Sequence, residues 1–459
     1  MIENVPTAKG APPSIRGRAL IVGLGKTGLS CARFLRGAGV PVAVTDTRRA
    51  PPALSQLRAE LPDVALFLGG FRDAVFAAAD CLVVSPGVST AIPEIQAAAA
   101  RGVPVFGDIE LFAKTAQAPI VAITGSNGKS TVTTLVGSMA RRAGRRVAVG
   151  GNLGEPALDL LSHEVGLYVL ELSSFQLETT HSLRPRVAAV LNLSADHMDR
   201  YPDLSAYAAA KARIFRGAEA AVVNLDDAIV TAMPTGDAER RGFTLGAPAE
   251  GVFGVCAHDD EPWLCCGSNP WMPAGELQIP GHHNRANALA ALAIGAAAGL
   301  SQETMLAAAR DFEGLAHRSE LVGERAGVRW YDDSKGTNPG ATVAALEGFA
   351  GTGGRQRVVL IAGGDGKGAD FSPLAGAVAR AARAVVLIGR DAPRIADALR
   401  GHVPLHQAVD MDDAVRLAAA LAQPGDSVLL SPACASFDMY ESYAHRGEAF
   451  AAAVRRLTR

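Results

Sequence analysis

Short apolar runs recur along the chain, each leading into a glycine-bearing loop and then into a segment in which Ala, Leu and Arg follow helical spacing. RALIVGLG, CLVVSPG, APIVAITG, LYVLELS and VAAVLNLS form the first series. This rhythm predicts strands alternating with helices, and so parallel α/β sheets. It starts afresh twice. GVPVFGDIELF around residue 107 closes a first unit, and EGLAHRSEL around residue 315 precedes a new series, VRWYDDS, RVVLIAGG, AVVLIGR and DSVLLSP. The expected architecture is therefore α/β in three domains, over residues 1–107, 108–314 and 315–459. ANALAALAIGAAAGL reads as a packed helix, and residues 234–275, with scattered Pro, Gly, Trp and Cys, read as irregular or as short strands. No solenoid-type repeat is present.

Composition narrows the choice of partners. A chain of 459 residues, 49% hydrophobic, is long enough for two to four domains with proper cores. Its formal net charge of −2 gives no electrostatic reason to expect nucleic acid or a membrane surface, so small molecules are the expected partners. MIENVPTAKGAPPSIRG carries no secretory pattern, and no later run has the length and apolarity of a membrane span. Six cysteines without C-x-x-C or zinc spacing fit structural thiols in a reducing cytoplasm.

Two glycine loops carry the chemistry. GLGKTG, residues 23–28, follows the strand RALIV and leads into a helical segment, and Asp46 closes the next strand, VAVTD. That layout suits a dinucleotide, or any nucleotide diphosphate: the glycines permit a tight turn, the helix N-terminus faces phosphate and the acid meets a ribose. Thr47 and Arg48 beside Asp46 offer further hydrogen bonds. The second loop, TGSNGKST, lies between the strand APIVAIT and a helix, but only Ser126 and Asn127 separate Gly125 from Gly128-Lys129-Ser130, two residues fewer than the usual phosphate loop. In such a loop backbone amides meet phosphate oxygens, Lys129 would neutralise the β- and γ-phosphates, and Ser130 would ligate Mg²⁺. Downstream, Glu171 in YVLELSSFQLE ends a buried strand where a carboxylate reaches the same metal, and VAAVLNLSADHMDRY ends a strand at Asp196-His197.

TGSNGKST, ELSSFQLE, NLSADHMDRY followed by AAKARIF, HHNRANALAA, AHRSE, DDSKGTN, GGDGKGADFSPL and SPACASFDMYESYAHRG together resemble, in order and through all three domains, the Mur ligases of peptidoglycan synthesis. The resemblance implies a Rossmann-like first domain for a UDP-linked substrate, a central P-loop ATPase-type domain and a Rossmann-like third domain for glutamate. It implies the ATP-dependent joining of D-glutamate to UDP-MurNAc-L-Ala through an acyl phosphate, by a cytoplasmic monomer. Gly125, Asn127, Gly128, Lys129, Ser130 and Thr131 would form the ATP loop. Asn284 and Asn287 would meet the adenine end, Asp333 the ribose, and Arg318 the phosphates. Ser130 and Glu171 would hold one Mg²⁺, and His197 and Lys211 would serve a second; Lys211 matches the lysine carbamylated in the family. Thr27, Asp46, Thr47, Arg48 and Ser85 would hold UDP, with Asn152 and Gln176 near the muramoyl and alanyl groups. Lys335, Thr337, Lys367 and Ser436 would face the incoming glutamate, with Tyr443 standing where the family often has Phe. Three alternatives stay open at this point: a related ligase of the same architecture acting on L-glutamate or another amino acid, a nucleotide-sensing module without turnover, and an NAD-dependent oxidoreductase built on GLGKTG. The last leaves Lys129, Glu171, His197 and Lys211 without a role.

Overall fold

The computed structural model describes residues 15, 17–279, 281–350 and 357–457; most of the opening segment, read above for a secretory signal, lies outside them. Three sheets follow one another along the chain. The first contains β1 (Ala19–Val22), β2 (Val42–Asp46), β3 (Ala65–Leu68), β4 (Cys81–Val84) and β5 (Val105–Phe106), in the order β3-β2-β1-β4-β5, with every pair parallel. β1 is buried along its whole length, as the unbroken apolar run ALIV requires. The order reverses beside β1, so a crevice opens at its C-terminal end, where parallel sheets bind ligands. The GLGKTG loop sits there. Gly28 is obligatory, because a Cβ would collide with the carbonyl oxygen of Gly23.

The second sheet contains β6 (Ile120–Thr124), β7 (Val147–Gly151), β8 (Leu167–Glu171), β9 (Val187–Val190), β10 (Ala220–Asn224), β11 (Glu239–Phe243), β12 (Phe253–His258), β13 (Glu261–Cys266) and β14 (Asn269–Pro273), in the order β14-β13-β12-β11-β10-β9-β6-β8-β7. β6, buried throughout, lies between β8 and β9 and ends at the short loop. The helix Lys129–Arg142 buries Val132, Leu135, Val136 and Met139 on the sheet. Helix His282–Ala297, the ANALAALAIGAA segment, packs against it with residues 287–295 all buried, its small side chains allowing close approach. Residues 234–275 are more regular than their composition suggested: β11 continues the parallel sheet, and β12–β14 turn it antiparallel. Pro270 sits in the edge strand β14 and Pro262 at the start of β13, ahead of the residues that pair with β14, so fewer ladder bonds are lost and the punctuation that blurred the sequence lies near an edge. Here one expectation needs correction. Cys256 and Cys265, on neighbouring antiparallel strands with Cα atoms 6.1 Å apart, form a disulfide, so not all six cysteines are thiols. Cys31, Cys81, Cys266 and Cys434 are free.

The third sheet contains β15 (Glu320–Arg325), β16 (Val328–Asp332), β17 (Val358–Gly363), β18 (Ala382–Ile388), β19 (Leu405–Gln407) and β20 (Ser427–Leu430), in the order β15-β16-β20-β17-β18-β19. Only β15 runs antiparallel. No helix among the described residues is long and apolar enough to cross a membrane.

Candidate active site

The loop Gly125–Gly128 bends through two glycines at positive φ, +159° and +81°, and Gly128 caps the following helix. Its side chains are already engaged. Lys129 Nζ donates to the carbonyl oxygens of Gly125 (2.9 Å) and Ser126 (2.8 Å), so the ammonium lies over the loop it follows. Ser130 Oγ donates to Glu171 Oε2 at 2.6 Å, and Asn152 Nδ2 donates to the other carboxylate oxygen at 2.7 Å. Burial opposes ionisation of Glu171, but the Lys129 charge and these two hydrogen bonds hold its carboxyl below the usual range. Burial pushes the Lys129 pKa down, while Glu171 and Asp196 act to raise it.

Arg318 arrives from the segment before β15, and its Nη2 donates to Ser130 Oγ at 2.7 Å. Two domains thus meet on one hydroxyl. A second junction lies at Asp196, whose Oδ1 accepts from Lys367 Nζ at 2.6 Å and Oδ2 from Asn338 Nδ2 at 3.0 Å. Asn338 also exchanges hydrogen bonds with Asn127, at 3.1 and 3.3 Å. Asn338 closes the DDSKGTN motif but was assigned no role in the sequence reading; a buried amide able to donate and accept is suited to join two polar loops.

His197 lies at a positive φ of 59°. Its ring meets Phe175 edge-on at 4.7 Å, and burial lowers its pKa to about 4, leaving a neutral imidazole with a lone pair for a metal. Lys211 is 1% exposed and donates to Gly125 O at 2.8 Å, the same oxygen that Lys129 uses. Burial and then the Lys129 charge drive its pKa well below that of an ordinary lysine. Tyr207 stands between the two side chains, its ring 4.6 Å from Lys211 Nζ and 6.5 Å from the His197 ring.

A cavity of about 270 Å³ opens beside the loop. Asn127, Gly128, Thr131, Asn284, Asn287, Arg318, Asp333 and Lys335 all line it, together with Leu191, Asn224 and Phe243. Lys335, grouped with the glutamate-side residues from sequence, therefore sits on the wall of the nucleotide side, its Nζ 3.7 Å from the centre of the Tyr443 ring. Burial lowers the Lys335 pKa to about 8 and raises that of Asp333 to about 7. Thr337, Lys367 and Ser436 lie outside this lining, and Ser436 is 2% exposed.

A larger cavity, about 500 Å³, lies between the first and second sheets. Thr27, Asp46, Thr47, Arg48, Ser85, Asn152 and Gln176 all line it, as the sequence grouped them. Asp46 differs in detail. Its carboxylate takes the Leu24 amide (2.8 Å) and both the amide and guanidinium of Arg48, so it orders the pocket rather than presenting a free acid to a ribose. Gln176 is likewise committed, completing the Ser173 capping box and donating to buried Asp108 at 2.9 Å.

A phosphate loop, an acid on the adjacent strand and an arginine delivered from another domain define an ATP-dependent ligase of the three-domain type. Family models agree: the N-terminal domain of MurD-like Mur ligases matches residues 17–107, the Mur ligase middle domain 123–295, and the Mur ligase glutamate ligase domain 317–434. The chain belongs to the Mur ligase family. It is 56% identical over 440 residues to the UDP-N-acetylmuramoylalanine--D-glutamate ligase of Marinobacter nauticus, covering 96% of this chain and 98% of that one. It is 55% identical over 446 residues to the enzyme of the same name from Nitrosococcus oceani, covering 97% and 98%. Among solved structures, UDP-N-acetylmuramate-alanine ligase MurC from Thermotoga maritima superposes with a TM-score of 0.61 at 19% identity, covering 96% of this chain and all of that one. A pseudomurein peptide ligase type C from Methanothermus fervidus gives 0.60 at 16% identity, with the same coverage. These two likenesses concern the fold.

Proposed function

We propose that the chain joins D-glutamate to UDP-N-acetylmuramoyl-L-alanine, the ligation that the names of its relatives describe, at the expense of ATP and using the residues assembled around Ser130. The observation that carries the site assignment is the convergence of Glu171 and Arg318, from different domains, on the Ser130 hydroxyl. A carboxylate oxygen is a poor leaving group. In the proposed reaction the alanyl carboxylate attacks the γ-phosphorus of ATP and releases ADP; the glutamate amine then adds to the acyl phosphate, and the tetrahedral intermediate expels phosphate. Both steps bring anions together, so the protein must supply positive charge and alignment.

Each side chain has a task in this reading. Lys129 leaves its loop carbonyls for the β- and γ-phosphates, and Arg318 leaves Ser130 for phosphate oxygens. Ser130 and Glu171, two hard oxygen donors held 2.6 Å apart, fit Mg²⁺, which supplies charge neutralisation at the phosphates when bound. Asn284 and Asn287 face the base and Asp333 the ribose. Lys367 exchanges Asp196 for a carboxylate of glutamate, assisted by Thr337 and Ser436. The large first cavity takes UDP through Thr27, Thr47, Arg48 and Ser85, with Asn152 and Gln176 towards the sugar. The domain boundaries fall near residues 107 and 314, between β5 and β6 and between β14 and β15, and the enzyme acts as a cytoplasmic monomer.

As an ammonium, Lys211 would repel a metal, and as a neutral amine it is a poor match for Mg²⁺, which prefers oxygen donors. Its burial beside Lys129 favours the neutral base, whose lone pair can attack carbon dioxide, form the N–C bond and lose a proton to water. The resulting carbamate would offer oxygens to a Mg²⁺ for which His197 would be a second ligand, and its negative charge would answer Lys129.

The deciding experiment supplies ATP, UDP-MurNAc-L-Ala and D- or L-glutamate, and weighs the product. The expected product is the uridine substrate plus glutamate less water, with one ADP and one phosphate, for D-glutamate alone. Turnover only with L-glutamate or another amino acid would move the chain to a different ligase. NAD binding at the first cavity in place of UDP, without phosphate release, would replace the ligase by the oxidoreductase.

A further inference from the structure

Arg318 is flanked by two residues in the left-handed region, His317 at φ 61° and Ser319 at φ 50°. Non-glycine residues hold such angles only where their surroundings impose them. Here the constraint comes from consecutive acids at the end of β16. His317 Nδ1 lies 2.7 Å from Asp332 Oδ2, while the Ser319 amide donates to Asp333 Oδ1 at 3.2 Å. Asp332 is 1% exposed, and its other oxygen takes the Ser334 amide at 2.9 Å. Two further backbone bonds tie His317 down, from its amide to Glu320 Oε2 (2.9 Å) and from Lys335 N to its carbonyl oxygen (3.1 Å).

The remaining wall of this arrangement is Gly447, within the helix Tyr443–Arg456. Glycine weakens a helix interior, so its presence there calls for a reason. A Cβ at this position would collide with His317 Nδ1 and Asp332 Oδ2 at once. The three residues therefore fit only together. His317, Glu320 and Asp332 also offer ligand atoms close enough for a metal. The short Nδ1–Oδ2 contact, however, makes a His–Asp hydrogen bond the direct account of the pair.

We infer that His317 and Asp332, seated against Gly447, are positioning residues: they lock the turn before the third domain so that the guanidinium of Arg318 reaches the phosphate loop. This rests on the ligase reading for its kinetic consequences, but ATP binding alone also reports on it. His317→Ala removes the hydrogen bond. Gly447→Ala displaces the pair without removing either member. His317→Asn keeps a side-chain donor near Nδ1, and Asn tolerates positive φ better than most residues.

The test measures kcat, KM for each substrate, the Kd of a non-hydrolysable ATP analogue, the Kd of UDP, and thermal unfolding. His317→Ala and Gly447→Ala are expected to weaken the ATP analogue about tenfold and lower kcat at least as much, with UDP affinity unchanged. His317→Asn is expected to recover most of both. In the Arg318→Ala background, His317→Ala is expected to add little, because the group it positions is gone. The inference is overturned if His317→Ala binds the analogue and turns over normally, if its effect multiplies with that of Arg318→Ala, or if UDP affinity falls in step with that of the analogue. Metal-dependent ATP affinity that disappears in Glu320→Gln would replace the lock by a metal site. If the wild-type protein binds the analogue but joins no glutamate, the ligase reading fails, and the binding data still decide the role of His317.

Discussion

The two cavities are built on opposite plans. The one beside the phosphate loop adjoins a set of side chains whose polar groups are already engaged: Lys129 by its loop carbonyls, Ser130 by Glu171 and Arg318, and Asp196 by Lys367 and Asn338. The one between the first and second sheets is larger and is shaped by turns, with its acid, Asp46, folded onto Arg48, whose side chain is half exposed. The difference teaches where substitutions should act. In the buried site every ligand must displace an internal partner, so removing one charge alters chemistry and the balance among its neighbours together. In the open site a substitution weakens a grip and leaves the rest standing.

The largest effects should come from the two lysines that share Gly125 O. Lys129→Ala is expected to lower turnover by about a hundredfold or more while leaving UDP binding and thermal unfolding close to wild type. A folded variant with near-normal turnover would remove the ATP-site assignment. Lys211→Ala is expected to be equally inactive but to recover part of its activity with acetate, which supplies the missing oxygens. Lys211→Arg should stay inactive, because guanidinium remains positive. Full activity in Lys211→Arg would end the carbamate proposal.

An intermediate effect is expected in the open cavity. Asp46→Ala frees Arg48 and the Leu24 amide, and should raise KM for the uridine substrate by roughly tenfold while leaving KM for ATP nearly unchanged. Equal changes in both constants would mean that the two cavities are not separable in this way.

The smallest effect concerns stability. Asp108 is 1% exposed, one of its carboxylate oxygens has no hydrogen-bond partner, and burial raises its pKa to about 6. Because the folded value exceeds that of the unfolded chain, the folded state holds this proton more tightly. Stability should therefore fall as pH rises from about 4 to about 6 and then level off, by about 3 kcal/mol from this group. Asp108→Asn should flatten that slope in thermal unfolding followed across pH. An unchanged slope would assign the dependence to other groups.

Much of this was legible in the sequence for a physical reason. Strand β6, the glycines after it and the Lys129–Arg142 helix are contiguous, so local pattern and local function coincide. The lining of the cavity between the first and second sheets was likewise legible, because Asp46, Thr47, Arg48, Ser85 and Asn152 sit on or just after the end of a β-strand and Thr27 and Gln176 in the helices that follow one. What escaped was long-range pairing. Asn338 meets Asp196 across 142 residues, and nothing local marks either as the other's partner. Asp46 was expected to meet a ribose because its position matches the dinucleotide layout, but the proximity of Arg48 gives it an internal partner. Strands β12–β14 were obscured by prolines and glycines accommodated at strand ends and at the outer side of the sheet, and the Cys256–Cys265 bond depends on a strand register that spacing does not reveal.

Gly128 gives the phosphate loop a property beyond flexibility. A Cβ there would run into Asn287 Oδ1, so the backbone of the loop lies directly against the Asn287 side chain of helix His282–Ala297. On the proposed reading, that contact would act as a gauge between the base end and the phosphate end of a bound nucleotide. A nucleotide of different reach would then have to move the Asn287 side chain before it could seat.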